Sequence, residues 1–84
     1  LYATLAGGGE LDGVRLLSKR TLRRATQEQP RTRSRAVIPW DMRWRLGYHG
    51  VLTTAGLPRR AFGHFGFGGS GAFADPESEL AVAL

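Results

Sequence analysis

The sequence predicts an α+β fold, part of an antiparallel sheet flanked by helices, and three observations carry that expectation. A helix-like stretch, "SKRTLRRATQEQ", opens at a serine and stops at Pro30. An Asp12-Gly13 pair sits between two short apolar runs, the strongest short-range signal for a tight hairpin. From Trp44 onward, short aromatic and β-prone runs alternate with glycine and proline turns. Helix, ribbon, helix and then successive strands is the order of an α+β chain, not of alternating parallel units.

Each element has a local reason. "LYATLAGGG" reads as the last turns of a helix closed by glycine, with Leu1, Leu5 and Tyr2 on its buried side. "ELDGVRLL" is a short β-ribbon around Asp12-Gly13, where both turn residues need a positive φ. Ser18 is placed to cap the next helix, whose apolar stripe is thin (Leu22 and Ala25), so a surface position is expected. "PRTRSRAVIP" is a polar connector. A strand is expected over Trp44 to Leu52, a turn at "AGLPRR", and a strand over Ala61 to Phe67. "GAFADPESELAVAL" then gives a strand, a turn at Asp75-Pro76 and the start of another strand.

The totals exclude several classes. The 84 residues allow one small domain, or a portion of one, and 42% hydrophobic residues suit a globular chain. With no cysteine there is neither a disulfide nor a thiolate metal site. His49 and His64 lack the spacing of a helical metal pair, so no metal is expected. No apolar run approaches the ~18 residues of a membrane span. Twelve Lys and Arg against seven Asp and Glu give a charge of +5, which raises a nucleic-acid reading. A solvated helix face plus a basic loop accounts for the same residues. Leu1 is not an initiator methionine, and "LYATLA" and "ELAVAL" at the two ends are apolar periodic segments, so a piece of a longer domain is expected over residues 1–84.

The stretch "FGHFGFGGSGAFADP" sets one imidazole, His64, among five glycines and four phenylalanines. Residues 66–71 satisfy Gly-x-Gly-x-x-Gly, but a dinucleotide fingerprint requires a helix after the third glycine, and "AFADP" follows instead. Phe65-Gly66-Phe67 matches the middle of an RNA-recognition strand, while Gly63, His64 and Gly68 occupy places where that pattern has a basic residue, a glycine and a valine. Strand alternation gives a third reading. Phe65 and Phe67 would share a packed face, and His64, Gly66 and Gly68 an open shelf where a ligand approaches free backbone N–H groups of the kind an oxyanion hole uses. A hydrogen-bonded, half-buried His64 with glycines that admit a neighbouring element explains the same residues. Both readings stand at this point.

"GGELDGVRLLS" followed by a helix, then Trp44-x-Leu-Gly-Tyr48 and "FGHFGFGGSGAFADPESELAVAL", resembles the C-terminal part of the serine beta-lactamase-like hydrolases. This family holds class C beta-lactamases, penicillin-binding-protein-like proteins and related esterases. The resemblance covers most of the chain and is most specific in the Gly-His-x-Gly-x-Gly-Gly…Asp-Pro block. It implies the beta-lactamase/transpeptidase-like fold, a small ester or beta-lactam substrate, an acyl-serine intermediate and no cofactor. By the same resemblance, His64-Phe65-Gly66 corresponds to the family's third motif in its His-x-Gly form. His64 would orient the substrate beside the nucleophile, Gly66 and Gly68 would leave room for it, and the backbone N–H of Phe67 would be one oxyanion donor.

The sequence also departs from the family. Residues three beyond Ser18, Ser34, Ser70 and Ser78 are Thr21, Val37, Phe73 and Ala81, so no Ser-x-x-Lys occurs. Tyr2 and Tyr48 are followed two positions on by Thr4 and Gly50, so no Tyr-x-Asn occurs either. Arg45 stands where such chains commonly have glycine before Leu-Gly. The chain by itself is therefore expected to be inactive. An ester substrate is expected ahead of a beta-lactam, because His-x-Gly lacks the lysine that would hold a lactam carboxylate. The competing expectation is a non-catalytic remnant or a small basic nucleic-acid module.

Overall fold

The computed structural model describes residues 1–30 and 42–84; apart from Pro30, the connector "PRTRSRAVIP" lies outside the described residues. The elements in order are α1 (Tyr2–Ala6), β1 (Glu10–Leu11), β2 (Val14–Arg15), α2 (Lys19–Thr26), β3 (His49–Gly50), β4 (Phe62–Phe65), β5 (Gly71–Asp75) and β6 (Leu80–Ala83). β1 and β2 form a ribbon, and the other strands form an antiparallel sheet in the order β3-β4-β5-β6. No helix among the described residues is long and apolar enough to cross a membrane.

The glycines after α1 close it by a Schellman arrangement. The Gly8 N–H donates to Leu5 O (3.2 Å) and the Gly9 N–H to Thr4 O (2.8 Å). Gly9 is constrained twice: its φ is +95°, and a Cβ there would lie 2.3 Å from the Leu17 carbonyl oxygen. The ribbon turns at Asp12 (φ 50°) and Gly13 (φ 77°), with Leu11 opposite Val14. Arg15 fastens it to the helix end, donating to Leu17 O (2.9 Å), Gly8 O (3.3 Å) and Glu10 Oε2 (2.6 Å).

Ser18 caps α2 as expected, its Oγ accepting from the Thr21 N–H at 3.0 Å. Replacing Ser18 by alanine should cost about 1 kcal/mol, read as a lower urea midpoint with an unchanged slope. The helix ends at Thr26, well before Pro30. Its last residues are drawn into other bonds: the Thr26 hydroxyl donates to Leu22 O (2.9 Å), Leu46 N–H to Ala25 O (3.0 Å) and Gln29 N–H to Trp44 O (2.8 Å).

The strand expected over Trp44 to Leu52 is reduced to His49–Gly50. Arg45 N–H donates to Tyr48 O at 2.8 Å around Gly47 (φ +80°), so half of the segment is a tight turn. The turn after β5 is as expected: Asp75 accepts from the Glu77 N–H (3.1 Å) and the Ser78 hydroxyl (2.7 Å).

One sheet face makes the core. α1 lies against β5 and β6, and Leu5, Ala6, Leu22, Phe62 and Ala74 are buried together with Tyr2, Leu17, Tyr48 and Ala81 around them. Leu22 is the buried residue of α2, as its thin stripe implied. Leu1, expected on the buried side, is 73% exposed because it precedes the first helical turn. Burial and the neighbouring Tyr48 hold the Tyr2 phenol above its ordinary range. On the opposite face, Phe65, Phe73 and Val82 are only partly covered among the described residues.

Candidate active site

β4 carries the His-x-Gly segment, and its neighbours decide how that segment is held. Phe62 points into the core, while Gly63 lies opposite both His49 on β3 and Phe73 on β5. A Cβ at Gly63 would stand 2.6 Å from the Cβ of Phe73 and 2.3 Å from Ala72 O, so only glycine lets β5 approach this closely. His64 pairs through its backbone with Ala72, and its side chain is exposed.

The strand expected over Ala61 to Phe67 ends at Phe65. Gly66 N–H donates to Ser70 O (2.8 Å) and Gly69 N–H to Gly66 O (3.1 Å), with φ +85° at Gly69, so the chain turns back into β5. Gly66, Phe67 and Gly68 therefore sit in the β4–β5 turn and not on an extended shelf. The expected packed face of Phe65 and Phe67 is also corrected: Phe65 is 38% exposed and Phe67 fully exposed. The turn sends Phe67 to the hairpin tip, where alternation no longer applies. His64, Gly66, Phe67 and Gly68 thus share the open end of β4. Among the described residues the Phe67 N–H has no hydrogen-bond partner.

His49 is the site residue that sequence reasoning missed. It is 4% exposed, with Nδ1 2.8 Å from Gly50 O and Nε2 accepting the Phe65 N–H at 3.1 Å. This pattern assigns the neutral tautomer with the proton on Nδ1. β3 pairs with β4 only at Gly63 and Phe62, so the Phe65 N–H lies beyond its end. The imidazole takes the place of the missing strand there. Trp44 stands edge-on to the His49 ring at 5.7 Å, and the ring centroids of His64 and Phe65 are 5.3 Å and 5.8 Å away. The signal available in sequence was a histidine before glycine in a β-prone run, but its partner depends on cross-strand register.

Arg45 fixes the other end of β4. It is 6% exposed, and its guanidinium donates to Ala61 O and to Arg59 O (3.1 Å). Burial, reinforced by Arg43 and opposed by Glu28, pushes the guanidinium below the ordinary arginine range. Arg45 is thus a clamp on the segment entering β4. Among the described residues no three His, Asp or Glu side chains form a group that could hold a metal ion.

One known protein is similar to this chain in sequence, and two solved structures are similar in sequence and backbone. The chain is 36% identical over all 84 residues to Esterase/beta-lactamase LipL of Mycobacterium tuberculosis and covers 19% of it. It superposes on a penicillin-binding protein homolog from Caulobacter crescentus with a TM-score of 0.83 and 39% identity, over 99% of this chain and 23% of that one. A family VIII carboxylesterase gives a TM-score of 0.80 and 38% identity, over 98% of this chain and 22% of that one. No family model matches. The chain therefore spans about a fifth of the length of these relatives, at 19–23% of each. Along its whole length the chain is thus similar to one part of an esterase/beta-lactamase, a penicillin-binding protein homolog and a carboxylesterase, the kind of protein to which the resemblance of its Gly-His-x-Gly-x-Gly-Gly block already pointed.

Proposed function

We propose that these residues are the C-terminal part of a serine hydrolase that cleaves carboxylic esters through an acyl-serine intermediate. The observation that carries this reading is the open end of β4. There an exposed His64, two glycines and a Phe67 N–H without a partner among the described residues follow one another past the pairing with His49, the first residue of β3. A substrate lying along that edge meets backbone in place of side chains. The Phe67 N–H is one donor for the oxyanion, and the imidazole of His64 orients the acyl group. The serine oxygen attacks the ester carbonyl, the alkoxide leaves as the alcohol after taking up the serine proton, and water then releases the acid. The serine and its lysine base come from sequence outside these residues, since no Ser-x-x-Lys occurs within them.

A fluorophosphonate probe tests this directly. A polypeptide carrying this chain behind a Ser-x-x-Lys segment should be labelled at that serine and show a burst with a chromogenic acetate ester. The 84-residue chain by itself should take up no probe. Labelling at Ser18, Ser34, Ser70 or Ser78, or no labelling of the longer polypeptide, would overturn the reading.

A further inference from the structure

Half of the chain's twelve Lys and Arg residues converge on one cavity that the His-x-Gly end of β4 does not touch. The cavity measures about 580 Å³ and lies between α2 and the turn before β4. Lys19 and Arg23, one helical turn apart on α2, line one side. Arg59 and Arg60 line another, with Arg43 and Arg45 between. Among the described residues Glu28 is the one carboxylate of the lining, and it accepts two bonds from Arg43 at 3.0 and 3.1 Å. Among the described residues, the side chains of Lys19, Arg23, Arg59 and Arg60 have no hydrogen-bond or ion-pair partner.

A solvated basic face does not explain this placement. The cations come from segments far apart in sequence, and like charges brought together oppose the compact state. The turn bearing Arg59 and Arg60 is also held in place, because buried Arg45 donates to the Arg59 and Ala61 carbonyls. The Nε of Arg45 is itself buried and has no partner among the described residues. Of the apolar lining residues, Leu5, Leu22 and Phe62 are almost wholly buried and Pro76 is half-buried. Five of the six cations that line the cavity are arginines, whose planar guanidinium forks match phosphate and carboxylate oxygens two at a time.

We propose that this cavity binds a multivalent oxyanion, a polyphosphate or polycarboxylate, held by Arg59 and Arg60 from one side and Lys19 and Arg23 from the other. Calorimetric titration of the full 84-residue chain with sodium tripolyphosphate and, separately, trisodium citrate at fixed ionic strength tests it and distinguishes the two sources. Saturable one-to-one binding of at least one anion is expected. The paired change Arg59→Ser and Arg60→Ser should weaken it about tenfold or more, as loss of charge-assisted bonds does. Arg20→Ser with Arg24→Ser removes the same charge from α2, the helix that carries Lys19 and Arg23, but at positions outside the cavity lining, and should change affinity less than about threefold. Arg59→Lys with Arg60→Lys keeps both charges and should still lose several-fold, which decides the matter if the serine pair fails to fold. No saturable binding, equal weakening by the cavity and control pairs, or full affinity in the lysine pair would overturn the proposal. So would tighter binding of a homopolymeric RNA to which both pairs contribute, which would make the surface a nucleic-acid interface.

Discussion

Phe62→Ala is expected to destabilise the chain by about 3–5 kcal/mol, the usual cost of truncating a buried phenylalanine. Phe62 is 1% exposed and belongs to the cluster with Leu5, Leu22 and Ala74 that joins α1, α2 and the sheet. Its ring meets Tyr48 edge-on at 5.2 Å, so the same substitution removes an aromatic pair that ties the segment before β3 to β4. A domain's whole stability is about 5–15 kcal/mol, and so short a chain has little surplus. The variant should therefore be largely unfolded at room temperature, seen as loss of the near-ultraviolet circular dichroism and of a cooperative urea transition. Phe67→Ala is the matched control, since Phe67 is fully exposed at the hairpin tip and its removal should leave the transition in place. A Phe62→Ala transition within about 1 kcal/mol of the parent would show that this cluster is not what holds the elements together.

What could be read from the sequence divides by range. Asp12-Gly13, Ser18 and Asp75-Pro76 act on their own neighbours within a few residues, and each produces the hairpin, cap or turn that its chemistry dictates. The errors fall where a distant partner, or a turn closed by glycine inside a β-prone run, decides. α2 stops at Thr26 because Gln29 and Ala25 bond to Trp44 and Leu46. β4 stops at Phe65 because the glycines after it close a turn onto Ser70. A Gly-Phe alternation reads the same whether it continues a strand or turns, and only the pairing with β5 separates the two. For the candidate site, His64, Gly66, Phe67 and Gly68 were singled out by their resemblance to a motif. His49 and Arg45 were not, because each matters through a backbone group far along the chain: Phe65 N–H for one, the Arg59 and Ala61 carbonyls for the other.

His64→Ala, made in a hydrolase that carries this chain, is expected to lower kcat/KM for an ester about a hundredfold or more, the range for losing one oriented catalytic hydrogen-bonding group. The same change should leave folding nearly intact. The His64 side chain is exposed and has no hydrogen bond among the described residues, and its strand position is fixed by backbone pairing with Ala72. Surface substitutions of this kind usually alter stability by no more than about 0.5 kcal/mol. His49 offers the contrast that makes the measurement interpretable. It is buried, and its Nε2 holds the Phe65 N–H, so His49→Ala leaves that donor without its partner and should lower melting temperature and turnover together. A residue that acts only by shaping β4 would behave like His49. One that touches the substrate would lose turnover with the melting temperature unchanged, and His64→Gln, which keeps a donor, would restore part of the lost rate. If kcat/KM for His64→Ala stays at the parent value while the protein remains folded, His64 has no part in the reaction. The open end of β4 would then owe its glycines to the approach of β5 and to the turn alone.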